Sequence, residues 1–237
     1  MSDWMTKLGK DFSQTFIEGN RWQSLLTGLG VTLKLTLFAL ILGSVLGILV
    51  AVIRSTHDQM EAQHRNGKLL NFLDRICQLY LTIIRGTPMM VQLLIMYFVI
   101  MASSTNTLLV ATLSFGINSG AYVAEIIRGG IMSVDRGQTE AGRSLGLSYI
   151  QTMWLIVIPQ AIKNILPALG NEMIALLKET SIVNVIGMKD ITKWAMNVQG
   201  RTYQAFMPFL GIAAVYLVLV ILLTKAVSAM ERRLNNG

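Results

Sequence analysis

Apolar residues run through this chain in long blocks separated by short polar stretches, which is the pattern of helices crossing a lipid bilayer. A bilayer core is crossed by about 20 mostly apolar residues in a helix. Residues 25–53 meet that length easily, and 107–128 and 207–228 meet it cleanly. Residues 80–102 meet it once the turns before Pro88 are counted. The stretch 155–180 is periodic at helical spacing but carries Gln160, Lys163, Asn164, Asn171, Glu172, Lys178 and Glu179. Polar groups within a span face a cavity or the bundle interior, so this stretch reads as a helix lining a path. The expected fold is an all-α membrane protein with five transmembrane helices in one domain, 25–230. A segment 1–24 precedes it and a tail 231–237 follows. Residues 132–158 form a polar loop between the third and fourth spans, and 188–205 a connecting helix between the fourth and fifth.

Charge sets the expected orientation. Only 14% of the 237 residues are charged, against about 25% in soluble domains. The net charge of +7 does not point to nucleic acid, because the cations sit beside apolar spans. Cytoplasmic loops collect lysine and arginine. Arg54, Arg65, Lys68, Arg75 and Arg85 fall in one loop region, Arg128, Arg136, Arg143 and Lys163 in a second, and Arg232 and Arg233 in the tail. Placing all three in the cytoplasm requires five crossings, with the N-terminus outside and the C-terminus cytoplasmic. Lys7, Lys10, Arg21, Lys189, Lys193 and Arg201 then lie outside, against the bias. No signal peptide is read, since the first apolar run begins late and is too long. Cys77 is the one cysteine, so no internal disulfide forms. His57 and His64 lack further ligand-type neighbours, and no metal site is expected.

Local signals add detail. Gly43-x3-Gly47 and Gly116-x3-Gly120 permit close helix packing. Thr87-Pro88 reads as an N-cap followed by proline in the first turn. Glu125 and Arg128, three residues apart, are placed to pair, and Arg85 to snorkel or pack in its loop. Glu172 and Glu179 are two helical turns apart and share one face. A zwitterion needs acceptors for its ammonium and donors for its carboxylate, and a helix bearing Glu172, Lys178, Glu179 and Thr180 offers both. No phosphate-binding G-x4-G-K-[S/T] loop is present, so the chain does not bind ATP in that way.

The polar loop reads Glu140-Ala141-Gly142, then Gly146, then Ile156, Ile158 and Pro159. It resembles the EAA loop of the membrane subunits of bacterial ABC importers. Gly142 replaces alanine and Ile158 replaces leucine, and glycine in a helix interior costs about 1 kcal/mol relative to alanine. Three further stretches resemble the polar amino-acid permease subgroup. They are Arg85-Gly86-Thr87-Pro88 with Val91-Gln92-Leu93, the run from Ser119 to Ile131, and Lys178-Glu179-Thr180-Ser181. The resemblance implies a non-catalytic permease subunit in the bacterial inner (cytoplasmic) membrane, importing polar amino acids. It implies two ABC ATPase subunits that bind ATP and Mg, a second permease subunit, identical or similar, and an external substrate-binding protein. The chain itself carries no cofactor. Coupling to the ATPase is expected of Glu140, Ala141, Gly142, Leu145, Gly146 and Leu147, with Glu140 near a helix N-terminus and Gly146 in a turn. Substrate contact is expected of Glu172, Glu179, Lys178, Thr180, Asn118 and Thr87. The alternative is an ion-coupled secondary transporter or channel, with Glu172 and Glu179 as ion or proton sites.

Overall fold

The computed structural model describes residues 2–62 and 67–235. His64 and Arg65 therefore lie outside the described residues. The described chain is helical: α1 (Ser2–Phe12), α2 (Arg21–Ala62), α3 (Lys68–Gly86), α4 (Met89–Ile95), α5 (Thr107–Met132), α6 (Arg136–Ser144), α7 (Tyr149–Thr152), α8 (Ile158–Glu179), α9 (Ile191–Thr202) and α10 (Phe206–Asn235). Among the described residues, four helical stretches are long and apolar enough to cross a membrane, or five if one bent pair counts as a span.

The centre of the molecule is the seam between α2 and α5. The two glycine pairs of the sequence meet there. A Cβ on Gly43 would sit 2.9 Å from the Ser119 side chain, and one on Gly47 2.5 Å from Val123. From the other side, a Cβ on Gly116 would meet Leu42 at 2.6 Å and one on Gly120 the Tyr80 hydroxyl at 2.9 Å. Small residues thus let two backbones approach, the main source of helix affinity where the surroundings are as apolar as the side chains. Leu35, Leu93, Phe115, Leu176 and Val183 fill the core beside this seam. Helix α8 packs on α5 where Gly130 faces Ile165, and on α10 where Gly170 faces Val227.

Two regions depart from the reading of the sequence. The span drawn over 80–102 is two helical pieces, α3 and Met89–Ile100, meeting at 109°. Thr87 and Pro88 both have extended backbone there. Proline disfavours a helical residue before it and supplies no N–H to the helix behind it. Thr87 is accordingly not an N-cap. Its hydroxyl donates to the Ile83 carbonyl at 2.8 Å, and it closes α3. Helix α3 shows an exposed stripe of Leu69, Phe72, Ile76, Leu79 and Ile83, while Asp74, Cys77 and Leu81 turn inward.

The segment 1–24, expected only to precede the spans, is largely helical among the described residues. Trp4, Met5 and Phe12 are exposed on α1. The path turns at Gly19 and Asn20, both at positive φ, and Phe16 stacks on Trp194 of α9 at 5.7 Å.

Candidate functional site

The loop bearing the Glu140 motif is a rigid, outward-facing knob. Asp135 caps α6, its carboxylate accepting from the Gly137 N–H at 2.6 Å. Glu140 lies in the middle of α6, so the acid complementing the helix dipole is Asp135 and not Glu140. The end of α6 is a Schellman turn. The Leu147 N–H donates to the Gly142 carbonyl (3.2 Å) and the Gly146 N–H to that of Arg143 (3.0 Å). Gly146 takes φ 85°, where a side chain strains the backbone. Two residues on, Ser148 and Gln151 form a reciprocal capping box for α7.

Gly142, expected to soften this helix, does something else. It is buried, and a Cβ there would lie 2.8 Å from Thr152 and 2.9 Å from Ile156. The glycine lets α6 sit close on the π-helical turn Met153–Val157 that leads into α8. Ile156 of the motif is the side chain it rests on. Gln160 of α8 donates to Gln138 at 3.3 Å, and Asn164 to Ser133 at 2.8 Å. Arg136, Glu140, Ala141 and Arg143 are among the exposed residues of α6, with Leu145 exposed at its C-cap. Leu145 is 82% exposed at the tip, and Leu147 is half-buried behind it.

The six residues expected to meet substrate fall into separate groups. Glu172 accepts from the Ser119 hydroxyl at 2.8 Å, joining α8 to α5 beside the glycine seam. Lys178 and Glu179 stand exposed on the last turn of α8. Thr180 is fully buried, and its hydroxyl donates to the Leu177 carbonyl at 2.7 Å, so it closes the helix. Asn118 is buried and donates to Gln92 at 3.0 Å. Thr87 is joined to Asn118 through that same Gln92.

Gln92, named in the sequence only as part of a resemblance, was given no role in the site. In an unbroken helix the N–H four residues after Ile84 would satisfy the Ile84 carbonyl, but that residue is Pro88. The Gln92 side-chain amide donates to the Ile84 carbonyl at 2.7 Å instead. It also contacts the Thr87 carbonyl (3.1 Å) and hydroxyl (2.8 Å). One side chain staples the bend and ties it to α5. A polar residue four positions after a proline in an apolar segment was the available signal. A cleft of about 340 Å³ opens at the bend. Thr87 and Gln92 line it beside Ile83, Val91 and Ile95, as does Ser114, whose buried hydroxyl has no protein partner among the described residues.

A charge cluster joins α2, α3 and α5. Glu125 does not pair with Arg128. It lies 3.3 Å from Arg54 and 3.4 Å from Arg85, one arginine from each neighbouring helix. Arg54 also reaches the buried Asp74 at 3.4 Å, and Arg128 pairs with Asp58 at 3.5 Å. Arg85 lies over the Tyr122 ring, 5.9 Å from its centroid. Arg85 is therefore held by specific partners, beyond snorkelling. Each acid here serves cations from other helices, the signature of a scaffold joint.

Residues 67–236 match the family described as "Binding-protein-dependent transport system inner membrane component". The putative glutamine transport system permease protein GlnP of Rickettsia bellii (strain RML369-C) is 38% identical over 207 residues, covering 86% of this chain and 89% of that one. The arginine transport system permease protein ArtQ of Bacillus subtilis (strain 168) is 36% identical over 218 residues, covering 90% and 93%. A crystal structure of an amino acid ABC transporter with histidines superposes with a TM-score of 0.80 at 41% identity, covering 89% of this chain and 94% of that one.

Proposed function

The chain belongs to the family of binding-protein-dependent transport system inner membrane components, and from that premise we propose that it moves polar amino acids across the bacterial inner membrane. It is a non-catalytic transmembrane subunit of an ABC importer, and ATP is hydrolysed by a separate subunit. We infer the finer arrangement as follows. The chain crosses five times, the bent pair counting as one span, with the N-terminus outside and the C-terminus inside. It pairs with a second permease subunit, identical or similar. Two ATPase subunits, holding ATP and Mg, bind from the cytoplasm, and an external binding protein delivers the amino acid.

The observation that carries this reading is the knob at α6. A helix capped at both ends and wedged onto the foot of α8 by Gly142 moves as one body with α8. Docked into an ATPase through Glu140, Ala141, Leu145 and Leu147, it would convert ATPase closure into tilting of α8. Shifting a two-state transporter from 1:99 to 99:1 needs about 5.5 kcal/mol of differential binding, so the lever has to be stiff. Toward the end of α8 away from the knob, Glu172 and Glu179 offer acceptors to a substrate ammonium. Lys178 serves its carboxylate, and Asn118 and Thr87, held by Gln92, border the path. Two acids on one face suit a substrate with an additional positive charge. Thr180 acts by fixing the end of this helix. The ion-coupled alternative gains nothing from the family or from the relatives.

The test is uptake by vesicles containing the complete transporter. Uptake of a polar amino acid is expected to require ATP, the partner ATPase and the external binding protein. Glu179→Gln should raise the substrate concentration for half-maximal stimulation of ATP hydrolysis. Uptake that persists without the ATPase contradicts the function, and an unchanged half-maximal concentration removes Glu179 from the site.

A further inference from the structure

Six cations on the proposed outer side run against the charge bias that orients membrane proteins, and the five-span reading leaves them without a role. The structure brings three of them together. Arg21 begins α2, Lys189 precedes α9, and Arg201 lies near the end of α9. All three line one cleft of about 270 Å³, with Asn197 on its wall and Trp194 beside them. Helix α8 is 22 residues long, about 33 Å, and separates this cleft from the α6 knob at its other end.

The cleft is short of negative charge. Among the described residues none of the three cations has an ion-pair partner. Asp190, the acid in the lining, is committed to the backbone, accepting from the Thr192 N–H at 3.0 Å and the Lys193 N–H at 2.8 Å as the cap of α9. Arg21 gives one N–H to the Gln14 carbonyl and keeps the rest of its five donors. The indole N–H of Trp194 is bound to the Arg21 carbonyl at 2.9 Å, which fixes the wall. A Cβ on Gly28 would lie 2.9 Å from the Asp190 carbonyl, so α2 and the start of α9 pack backbone to backbone beside the cleft. Three cations held together in a preformed recess are complementary to an anion.

We propose that this cleft is a docking slot for an acidic side chain, Asp or Glu, on the external binding protein. The proposal rests on the orientation and partner set proposed above. A protein carboxylate fits better than a lipid phosphate. A bound lipid needs an apolar channel for its acyl chains leading from the headgroup. Here Val198 and Trp194 are the large apolar side chains of the lining, and the other apolar surface comes from Gly28 and the stems of the three cations. Charged pairs at the rim of an interface act mainly on association rate and specificity, which is what repeated delivery of substrate requires.

The experiment uses the intact transporter, with its ATPase, in vesicles and reads the concentration of external binding protein that half-maximally stimulates ATP hydrolysis. The double variant Lys189→Glu/Arg201→Glu is expected to raise it about tenfold or more at low salt, with the difference shrinking toward about 1 M salt. The double glutamine variant should give a smaller shift in the same direction. Lys7→Glu, an outer cation on α1 away from the cleft, should give none. No shift in the double variant, or an equal shift with Lys7→Glu, overturns the slot. A change that depends on anionic lipid in the vesicles and not on binding-protein concentration overturns it in favour of a lipid headgroup. Labelling of Lys189→Cys with a membrane-impermeant maleimide separates this inference from its premise. Modification from outside is expected. Modification only from inside overturns the orientation, and with it the slot. Modification from outside without a kinetic shift overturns the slot alone.

Discussion

The α6 knob and the polar interior around Gln92 and Glu172 are held together in opposite ways. The knob is built by its backbone. An aspartate cap, a Schellman turn and a capping box satisfy its ends, and its outward side chains carry none of its stability. The interior is built by side chains, with Gln92 bonding four groups and Ser119 bonding Glu172. The difference teaches where each kind of substitution is felt. Outward residues on the knob are free to be chosen for a partner, whereas a polar residue inside the bundle holds its helices in register.

This contrast can be broken by substitution. The largest effect on stability is expected from Gln92→Leu. It leaves the Ile84 and Thr87 carbonyls and the Asn118 amide short of partners, at a cost of about 2 kcal/mol. Thermal unfolding of the detergent-solubilised complex would show it as a lower midpoint. An unchanged midpoint means that water or a neighbouring group closes the bend without Gln92. Next is Gly146→Ala, which places a side chain at φ 85° and costs about 1 kcal/mol. Its effect should concentrate in the loop, seen as faster hydrogen exchange over residues 137–148 and little change at the α2–α5 seam.

Ser119→Ala removes one interhelical hydrogen bond, worth about 0.6 kcal/mol on average in a membrane bundle. It also frees Glu172, so the half-maximal substrate concentration should move more than the melting midpoint does. The smallest effect on stability belongs to Glu140→Lys, within about 0.5 kcal/mol, because Glu140 is exposed and makes no bond that α6 needs. If Glu140→Lys destabilises the subunit as much as Gln92→Leu does, the contrast between the two regions fails.

Much of this arrangement was legible in the chain. The apolar blocks located the long helices, and the glycine pairs pointed to the seam where the backbones meet. The Glu140 motif marked the knob, although placing its acid at the helix start was wrong, since Asp135 holds that position. What escaped were features that depend on a neighbour distant in sequence. The i,i+3 spacing of Glu125 and Arg128 suggested a pair, but Arg54 and Arg85 come closer across the bundle. Gly142 looked like a weak point until Thr152 and Ile156 were seen packed against it. The 109° bend follows from Pro88, yet its stability depends on Gln92 reaching back eight residues to Ile84. The helical character of α1 was masked by its polar residues, and the turn that follows it is anchored by an aromatic contact with α9 nearly 180 residues away, from Phe16 to Trp194.

The central claim is that α6 is where a separate ATPase takes hold. The most direct measurement is co-purification of the partner ATPase with the wild-type chain and with Glu140→Lys, both extracted from membranes with their melting midpoints recorded. The account predicts that Glu140→Lys inserts and melts like the wild type while losing most of the bound ATPase and the substrate-stimulated hydrolysis that goes with it. Retention of the ATPase at wild-type affinity by a normally folded Glu140→Lys subunit would contradict it.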